Sequence, residues 1–365
     1  MKAAVVVGGG IAGLSAAWEL AKRGWSVTVC ESAGAPGAGC TRATLGLVYP
    51  LCPGSYPPEM VDVSFSAWRS YPAYAAEITE ASGDRLSLTE RTLLDVAVDQ
   101  EELARLSAES AAYTALGFLG HALGPEEMTA CEPRLLGGAG GIAYPGVLHA
   151  DGASLTSALV SALSRSGGTV MLETPVRSLV IRAGVCRGVM LATGQALGAD
   201  LVVLATGATA FDTGDGPVPR IEAMRGQVIL AEMPGPWLRH MVYVADLDLI
   251  QRDDDSVLIG ATREWGERAP TATIAGLASI LGRVCAHLGV PPELRFTGVA
   301  VGLRPRSVTG LPVVHPLPHA ANAVVFNGLF RNGIVCAPTL AGLLADAVES
   351  GDWSGLSAFR DPAVA

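Results

Sequence analysis

The chain has 365 residues, 50% of them hydrophobic and only 16% charged, with a formal net charge of −10. That much apolar material predicts a well-folded protein whose core is spread over two domains. The acidic balance argues against nucleic acid, whose binding needs Lys and Arg to neutralise phosphates, and against anionic membranes; no uninterrupted apolar run is read as long enough to cross a bilayer.

The first 31 residues are the densest in information. Val5-Val6-Val7 predicts a strand, Gly8-Gly9-Gly10-Ile11-Ala12-Gly13 a glycine turn that opens a helix, and Val27-Thr28-Val29-Cys30-Glu31 a second strand ending in an acid. Gly8 permits the tight turn, Gly10 lets a pyrophosphate approach the backbone, and Gly13 lets the helix pack closely on the strand. The helix start at Ile11 and Ala12 turns free N–H groups towards the phosphates. Glu31 stands where a carboxylate accepts from both ribose hydroxyls of an adenosine and repels a 2′-phosphate. The pattern predicts an ADP-containing dinucleotide without separating FAD from NAD. A signal peptide is the weaker alternative, because the glycines break the apolar run and Glu19, Lys22 and Arg23 follow without a small-residue cleavage site.

Residues 37–60 are rich in Gly, Pro and small residues and predict a loop close to the cofactor; residues 59–82 predict a helix. Leu86–Leu88 and Thr92–Val98 read as strands, Glu101–Gly117 as a helix, and Gly124 to Met128 as the start of a short helix ended by Pro133 and the glycines 137–141. A helix capped by Asp151 follows over Asp151–Ser166, then strands at Thr169–Leu172, Val176–Arg182, Cys186–Leu191 and Ala199–Ala205, the last running into the small-residue turn Ala205-Thr206-Gly207. Residues 220–300 read as long strands, including Tyr243–Arg252, with one helix at Ala272–Leu288, and the chain closes on glycine turns and a final helix.

The seven cysteines show no Cys-x-x-Cys pair and no zinc spacing, so Cys30, Cys186, Cys285 and Cys336 are expected as small buried hydrophobes in a reducing cytoplasm. His315 and His319 are four apart, but Pro316 and Pro318 exclude a shared helical face, and no metal site is expected. Lysine occurs only at Lys2 and Lys22.

These elements predict a mixed α/β protein: a discontinuous Rossmann-like FAD-binding domain (residues 1–82, 145–215 and 300–365) and a second, antiparallel-sheet substrate domain (83–144 and 216–299). Simple NAD dehydrogenases keep the cofactor domain contiguous, so the division leans towards FAD.

Three later strings sharpen the reading: Met224-Arg225-Gly226-Gln227-Val228, Gly302-Leu303-Arg304-Pro305-Arg306 with Gly310-Leu311-Pro312, and Phe330-Arg331-Asn332-Gly333-Ile334 with Ala337-Pro338. With the N-terminal fingerprint they resemble the D-amino-acid oxidase and sarcosine oxidase superfamily of flavoproteins, and within it glycine oxidase most. The resemblance spans almost the whole chain. It implies non-covalent FAD, since no cysteine stands in a flavin-attachment motif, and an amine substrate carrying a carboxylate. The substrate's α-hydrogen would leave as hydride to flavin N5, the imine would hydrolyse, and O2 would be reduced to H2O2. It implies that Arg304 holds the substrate carboxylate and that Arg331 stands at the mouth of the same site. It places Arg42, Thr44, Leu45, Gly46, Leu47, Val176, Ala205, Thr206, Gly207, Asn332, Gly333 and Ile334, with both arginines, around the cofactor. A helix starting near Pro338 would turn its positive end to the flavin.

The chain also departs from that family. A tyrosine position is held by Asp248, with Asp246 expected on the same strand face, and an apolar position by Arg263, which either meets substrate or pairs with the two acids. No lysine is available for the oxygen-activating role seen in sarcosine and fructosyl amine oxidases. D-amino-acid oxidation, a catalytically silent FAD-binding subunit and an NAD dehydrogenase remain the competing readings, and the sequence leaves a homo-oligomer open.

Overall fold

The computed structural model describes residues 1–214 and 216–362. Two large sheets organise it. The first has six strands in the order Val313–Pro316, Ala323–Asn327, Leu201–Leu204, Ala3–Val7, Ser26–Cys30, Thr169–Met171. All neighbours run parallel except the Val313–Pro316 edge. Parallel strands covered on both faces need apolar residues at every position, which is why Ala4 and Val6 enter one core while Val5 and Val7 enter another. The helices Ile11–Lys22, Pro58–Ser82, Gly152–Arg165 and Gly333–Ser350 fill the first core. The antiparallel meander Val176–Arg182, Val185–Leu191 and Ala196–Gly198 covers the opposite face.

The second sheet runs Glu264–Trp265, Ile221–Glu232, Ser256–Gly260, Leu247–Gln251, Met241–Val244, Leu88–Ala97, Gly140–Ala150, Leu47–Val48. Arg295–Ser307 pairs along Ile221–Glu232, and His121–Leu123 along Gly140–Ala150. Its pairs are antiparallel apart from Met241–Val244 beside Leu88–Ala97. Helices Gln100–Ala115 and Ile274–His287 are capped by the side chains of Asp99 and Thr273, which accept from Glu102 and Gly276 N–H groups. Asp151 caps Gly152–Arg165 as expected, accepting from the Ser154 N–H at 2.7 Å.

The structure corrects several sequence expectations. Gly140–Ala150 is an 11-residue strand where the glycines suggested only a break. Leu86–Leu88 and Thr92–Val98 resolve into one strand, Leu88–Ala97, with a register shift between Arg91 and Leu93. The Tyr243–Arg252 strand is a hairpin: Ala245 and Asp246 hold φ of 48° and 62° between Val244 and Leu247, a two-residue turn whose positive φ values match the strand twist. Asp246 therefore lies in a turn and not on a strand face. The last helix starts at Gly333, so Pro338 is inside it. Cys285 is exposed, unlike the buried Cys30, Cys186 and Cys336. Gly333–Ser350 is long and apolar enough to cross a membrane by length and composition, but Leu340, Ala341 and Leu344 are fully buried in the core.

Candidate active site

A cavity of about 800 Å³ opens between the two sheets, a size that suits a cofactor with its substrate. Its floor is the N-terminal turn. Gly8 has φ +108°, and a Cβ there would come 2.4 Å from the Ala205 carbonyl oxygen. A Cβ on Gly13 would come 1.9 Å from the Gly8 carbonyl oxygen, so strand, turn and helix touch backbone to backbone. Gly10 is the N-cap of Ile11–Lys22, and Thr41 Oγ1 accepts the Ile11 N–H at 3.1 Å. Glu31 is buried; its Oε2 accepts the Gly9 N–H at 2.7 Å and its Oε1 the Ala33 N–H at 2.8 Å. Those bonds aim one carboxylate along the edge of the turn, where an adenosine ribose would lie, while the helix start offers N–H groups to a pyrophosphate. The donor set and the close backbone approach fit FAD.

The structure brings the expected cofactor residues to one place. Gly8, Gly10, Ile11, Ala12 and Glu31 line the cavity, as do Thr44, Leu45, Gly46, Leu47 and Val176. So do Ala205, Thr206, Gly207, Asn332, Gly333 and Ile334. Gly13 packs beneath the turn and Arg42 is exposed; neither lines the cavity. Asn327, unnoticed in the sequence, also lines it and donates to the Gly207 carbonyl at 2.9 Å, tying the Ala205–Gly207 turn to the neighbouring strand. Replacing Glu31 with Ala removes two turn contacts and the carboxylate expected to accept from a ribose. The flavin-to-protein absorbance ratio after gel filtration should fall. An altered amine preference at full flavin content would contradict the ribose placement.

The second sheet supplies the far wall. Arg304, on Arg295–Ser307, pairs in register with Met224, and its guanidinium lies over Gly226, where a Cβ would come 2.4 Å from its Nη atoms. Gly226 is thus the gap that admits Arg304. Nη1 of Arg304 donates to the Thr262 carbonyl at 3.1 Å, and no carboxylate among the described residues pairs with it. Burial lowers its pKa, partly opposed by Cys40, with Arg331 and Arg263 lowering it further. Behind it, Arg225 is paired with Glu264, whose carboxylate also accepts from Thr262 and Gln227. That network fixes the segment whose carbonyl Arg304 holds. Arg331 projects into the cavity without an acid partner among the described residues. Burial pulls its pKa down, but Tyr56, Asp248 and Tyr49 outweigh that and leave it raised.

Asp248 faces the same space. Burial pushes its carboxyl up to about 6, against the pull of Arg331, Arg263 and Arg304. It makes no hydrogen bond among the described residues. Arg263 pairs with Asp246 at 3.0 Å and not with Asp248, and donates to the Tyr243 hydroxyl at 3.1 Å. That hydroxyl in turn donates to Asp246 at 2.8 Å. Only Nη2 of Arg263 is engaged in these contacts, and among the described residues no hydrogen bond from Nη1 or Nε is seen; Arg263 lines the cavity. Tyr49, Asp95, Tyr144 and Tyr243 also line the cavity and were not singled out in the sequence. Aromatic residues in alternating strands look like ordinary core, and nothing local marks them.

A discontinuous dinucleotide fold, a glycine cradle with its ribose acid, and unpaired arginines facing it define an FAD-binding oxidoreductase. Residues 3–347 match the family described as FAD dependent oxidoreductase (DAO), and the chain belongs to it. It is 30% identical to the glycine oxidase of Geobacillus kaustophilus over 94% of this chain and 92% of that protein. It is likewise 30% identical to the glycine oxidase of Pseudomonas putida, over 99% and 97%. The crystal structure of the Geobacillus kaustophilus enzyme superposes with a TM-score of 0.90 at 25% identity, covering 99% of this chain and 98% of that one. The protein is an FAD-dependent amine oxidase.

Proposed function

We propose that the enzyme dehydrogenates the N–CH2–COO⁻ unit of glycine or of an N-substituted glycine, including N-carboxymethyl amino acids. The imine formed would take up water and split into an amine (ammonia from glycine) and glyoxylate, with O2 as acceptor and H2O2 as co-product. The observation that carries this reading is Arg304: an inward guanidinium with no carboxylate partner among the described residues, beside Arg331, in the cavity that holds the glycine cradle. A cation left unpaired in such a place is costly without a ligand, and its planar fork suits a carboxylate bidentately. FAD, when bound, supplies the hydride acceptor. The chain orients the substrate: Arg304 and Arg331 hold the carboxylate, and the Asp248 carboxylate takes a proton from the substrate ammonium so that the amine reacts in its neutral form. In the proposed division, residues 1–82, 145–215 and 300–365 would supply the glycine cradle together with Arg304 and Arg331, and residues 83–144 and 216–299 would supply Asp248 and Arg263. The seven free cysteines support a reducing, cytoplasmic setting.

Anaerobic flavin bleaching across a panel of N-substituted glycines and D-amino acids tests the reading. Reduction by D-alanine and not by sarcosine or glycine would favour a D-amino-acid oxidase. No bleaching by any amine would favour a silent flavin-binding subunit.

Two further results are expected. An ionised Asp248 accepts a proton and a protonated one does not, so the rate of flavin reduction should rise with pH through about 6. Asp248→Asn should remove that limb, and an unchanged limb would mean another group carries the proton. Arg263 keeps two donor nitrogens open, which suits a second carboxylate on the substrate. Arg263→Met should lower kcat/KM for a dicarboxylate such as an N-carboxymethyl β-amino acid about tenfold more than for sarcosine. Equal losses on both would make the Asp246 pair purely structural.

A further inference from the structure

One buried acid in the cavity has no use in the reaction just described. Asp95 lies on Leu88–Ala97, in register with Tyr243 on one side and Ile142 on the other. Tyr243 is opposite Asp248. Cross-strand partners share a face, so Asp95, Tyr243 and Asp248 form a row across three adjacent strands, all three lining the cavity. Asp95 is therefore two strand spacings, about 10 Å, from Asp248. Its Oδ1 is buried and has no hydrogen-bond partner among the described residues. A carboxyl buried without a partner is costly and calls for an explanation.

The surroundings narrow what could satisfy it. Leu93, Cys52, Tyr113 and Tyr144 line the cavity along with Asp95, as do the paired Arg105 and Glu109. The Tyr113 hydroxyl is already donated to the Pro50 carbonyl at 3.1 Å. The nearby cation, Arg105, is committed to Glu102 at 3.1 Å and Glu109 at 2.8 Å. Burial, with Glu109, Glu102 and Asp248 adding to it and Arg105 opposing, pushes the Asp95 carboxyl up to about 8. Three further acids in the neighbourhood disfavour a second anion here. The carboxylate-binding pair Arg304 and Arg331 belongs to the Asp248 side.

We propose that the part of the cavity at Asp95 receives the arm of the amine substituent that does not reach Arg263 and selects one whose far end carries a hydrogen-bond donor, a hydroxyl or an ammonium. The inference rests on the N-substituted glycine reading and names the substituent class for that same site. The carboxymethyl end is held at Arg304, the carbon chain passes Leu93 and the tyrosines, and the terminal donor meets Asp95 Oδ1.

The test compares two series on the holoenzyme. The first is N-(hydroxyalkyl)glycines and N-(aminoalkyl)glycines against N-alkylglycines of equal length, read as kcat/KM for flavin reduction. The second is the matching thioether acids, in which sulfur replaces the amine nitrogen so that no imine can form, read as binding from the perturbed flavin absorption. At the best length the donor-terminated member should be preferred by at least about tenfold in both series. Asp95→Leu should bring both ratios to about one or below, and Asp95→Asn, which keeps an acceptor oxygen in the same place, should restore part of the preference for the hydroxyl arm. A ratio near one in the unaltered enzyme, a preference for a carboxylate-terminated arm that survives Arg263→Met, or a ratio unchanged by Asp95→Leu would overturn the inference. A donor preference among the thioether acids, with no amine reducing the flavin, would keep the role of Asp95 and remove the oxidase reading. If both variants fail to fold, the thioether ratio in the unaltered enzyme decides by itself.

Discussion

Arg304→Ala is expected to lower kcat/KM by roughly 30- to 1000-fold, corresponding to about 2–4 kcal/mol, with FAD still bound and the fold intact. The guanidinium sits over Gly226, anchored by one bond to the Thr262 carbonyl, and no carboxylate among the described residues neutralises it. Its removal leaves Arg331 without an acid partner among the described residues on that side and withdraws the proposed bidentate partner of the substrate carboxylate. The anchoring segment has its own support in the Arg225–Glu264 pair and the Gln227 amide, so the wall should hold its shape. Most of the loss should fall on KM. Arg304→Lys should recover only part of it, because an ammonium keeps the charge and loses the planar fork. Stopped-flow reduction with sarcosine across a concentration range separates the two constants. Ordinary affinity in Arg304→Ala would mean that the carboxylate is held elsewhere.

Gly13→Ala is expected to have a comparable effect by a different route. The added methyl would sit 1.9 Å from the Gly8 carbonyl oxygen, 3.1 Å from the Gly8 carbonyl carbon and 3.3 Å from the Ala205 Cβ. Two of those neighbours are backbone and cannot rotate away, so the helix must lift off the strand. Overpacking of this kind costs about 3 kcal/mol, and it displaces the helix start that faces the pyrophosphate. Thermal melting should show a lowered midpoint, and the purified variant should carry little flavin. Gly342→Ala provides the contrast. It lies inside Gly333–Ser350 with nothing within 4 Å of the added carbon, so it should stabilise by up to about 1 kcal/mol. A Gly13→Ala protein with normal flavin content and an unchanged midpoint would show that the turn has more slack than this packing allows.

The elements legible in the sequence are those whose cause is local. The strand, glycine turn, helix and acid of residues 3–31 are specified by spacing within a few tens of residues, and Asp151 announces the helix it caps. Where the cause is a distant partner, the reading failed. Gly140–Ala150 contains Pro145 and three glycines, Gly140, Gly141 and Gly146, yet it is a strand because Leu88–Ala97 and His121–Leu123 hydrogen-bond along it. The hairpin at Ala245 and Asp246 lacks the Asn-Gly or Asp-Gly signal of such turns and adopts positive φ in two non-glycine residues, imposed by the strands on either side.

The same division runs through the site. The sequence by itself determined that the chain holds an ADP-type dinucleotide, that the fold is mixed α/β, and that Arg304 and Arg331 stand in motifs beside it. The first two rest on short strings whose backbone geometry follows from residue type, and the placing of the two arginines on the resemblance of their strings to a known family. Only the tertiary structure decided that Arg263 pairs with Asp246 and leaves Asp248 free, and that Asp95, far away in sequence, shares a row with Tyr243 and Asp248. A side chain's partner and its pKa depend on which strands become neighbours and on how much water their packing removes, and neither quantity is written in the residues on either side of it.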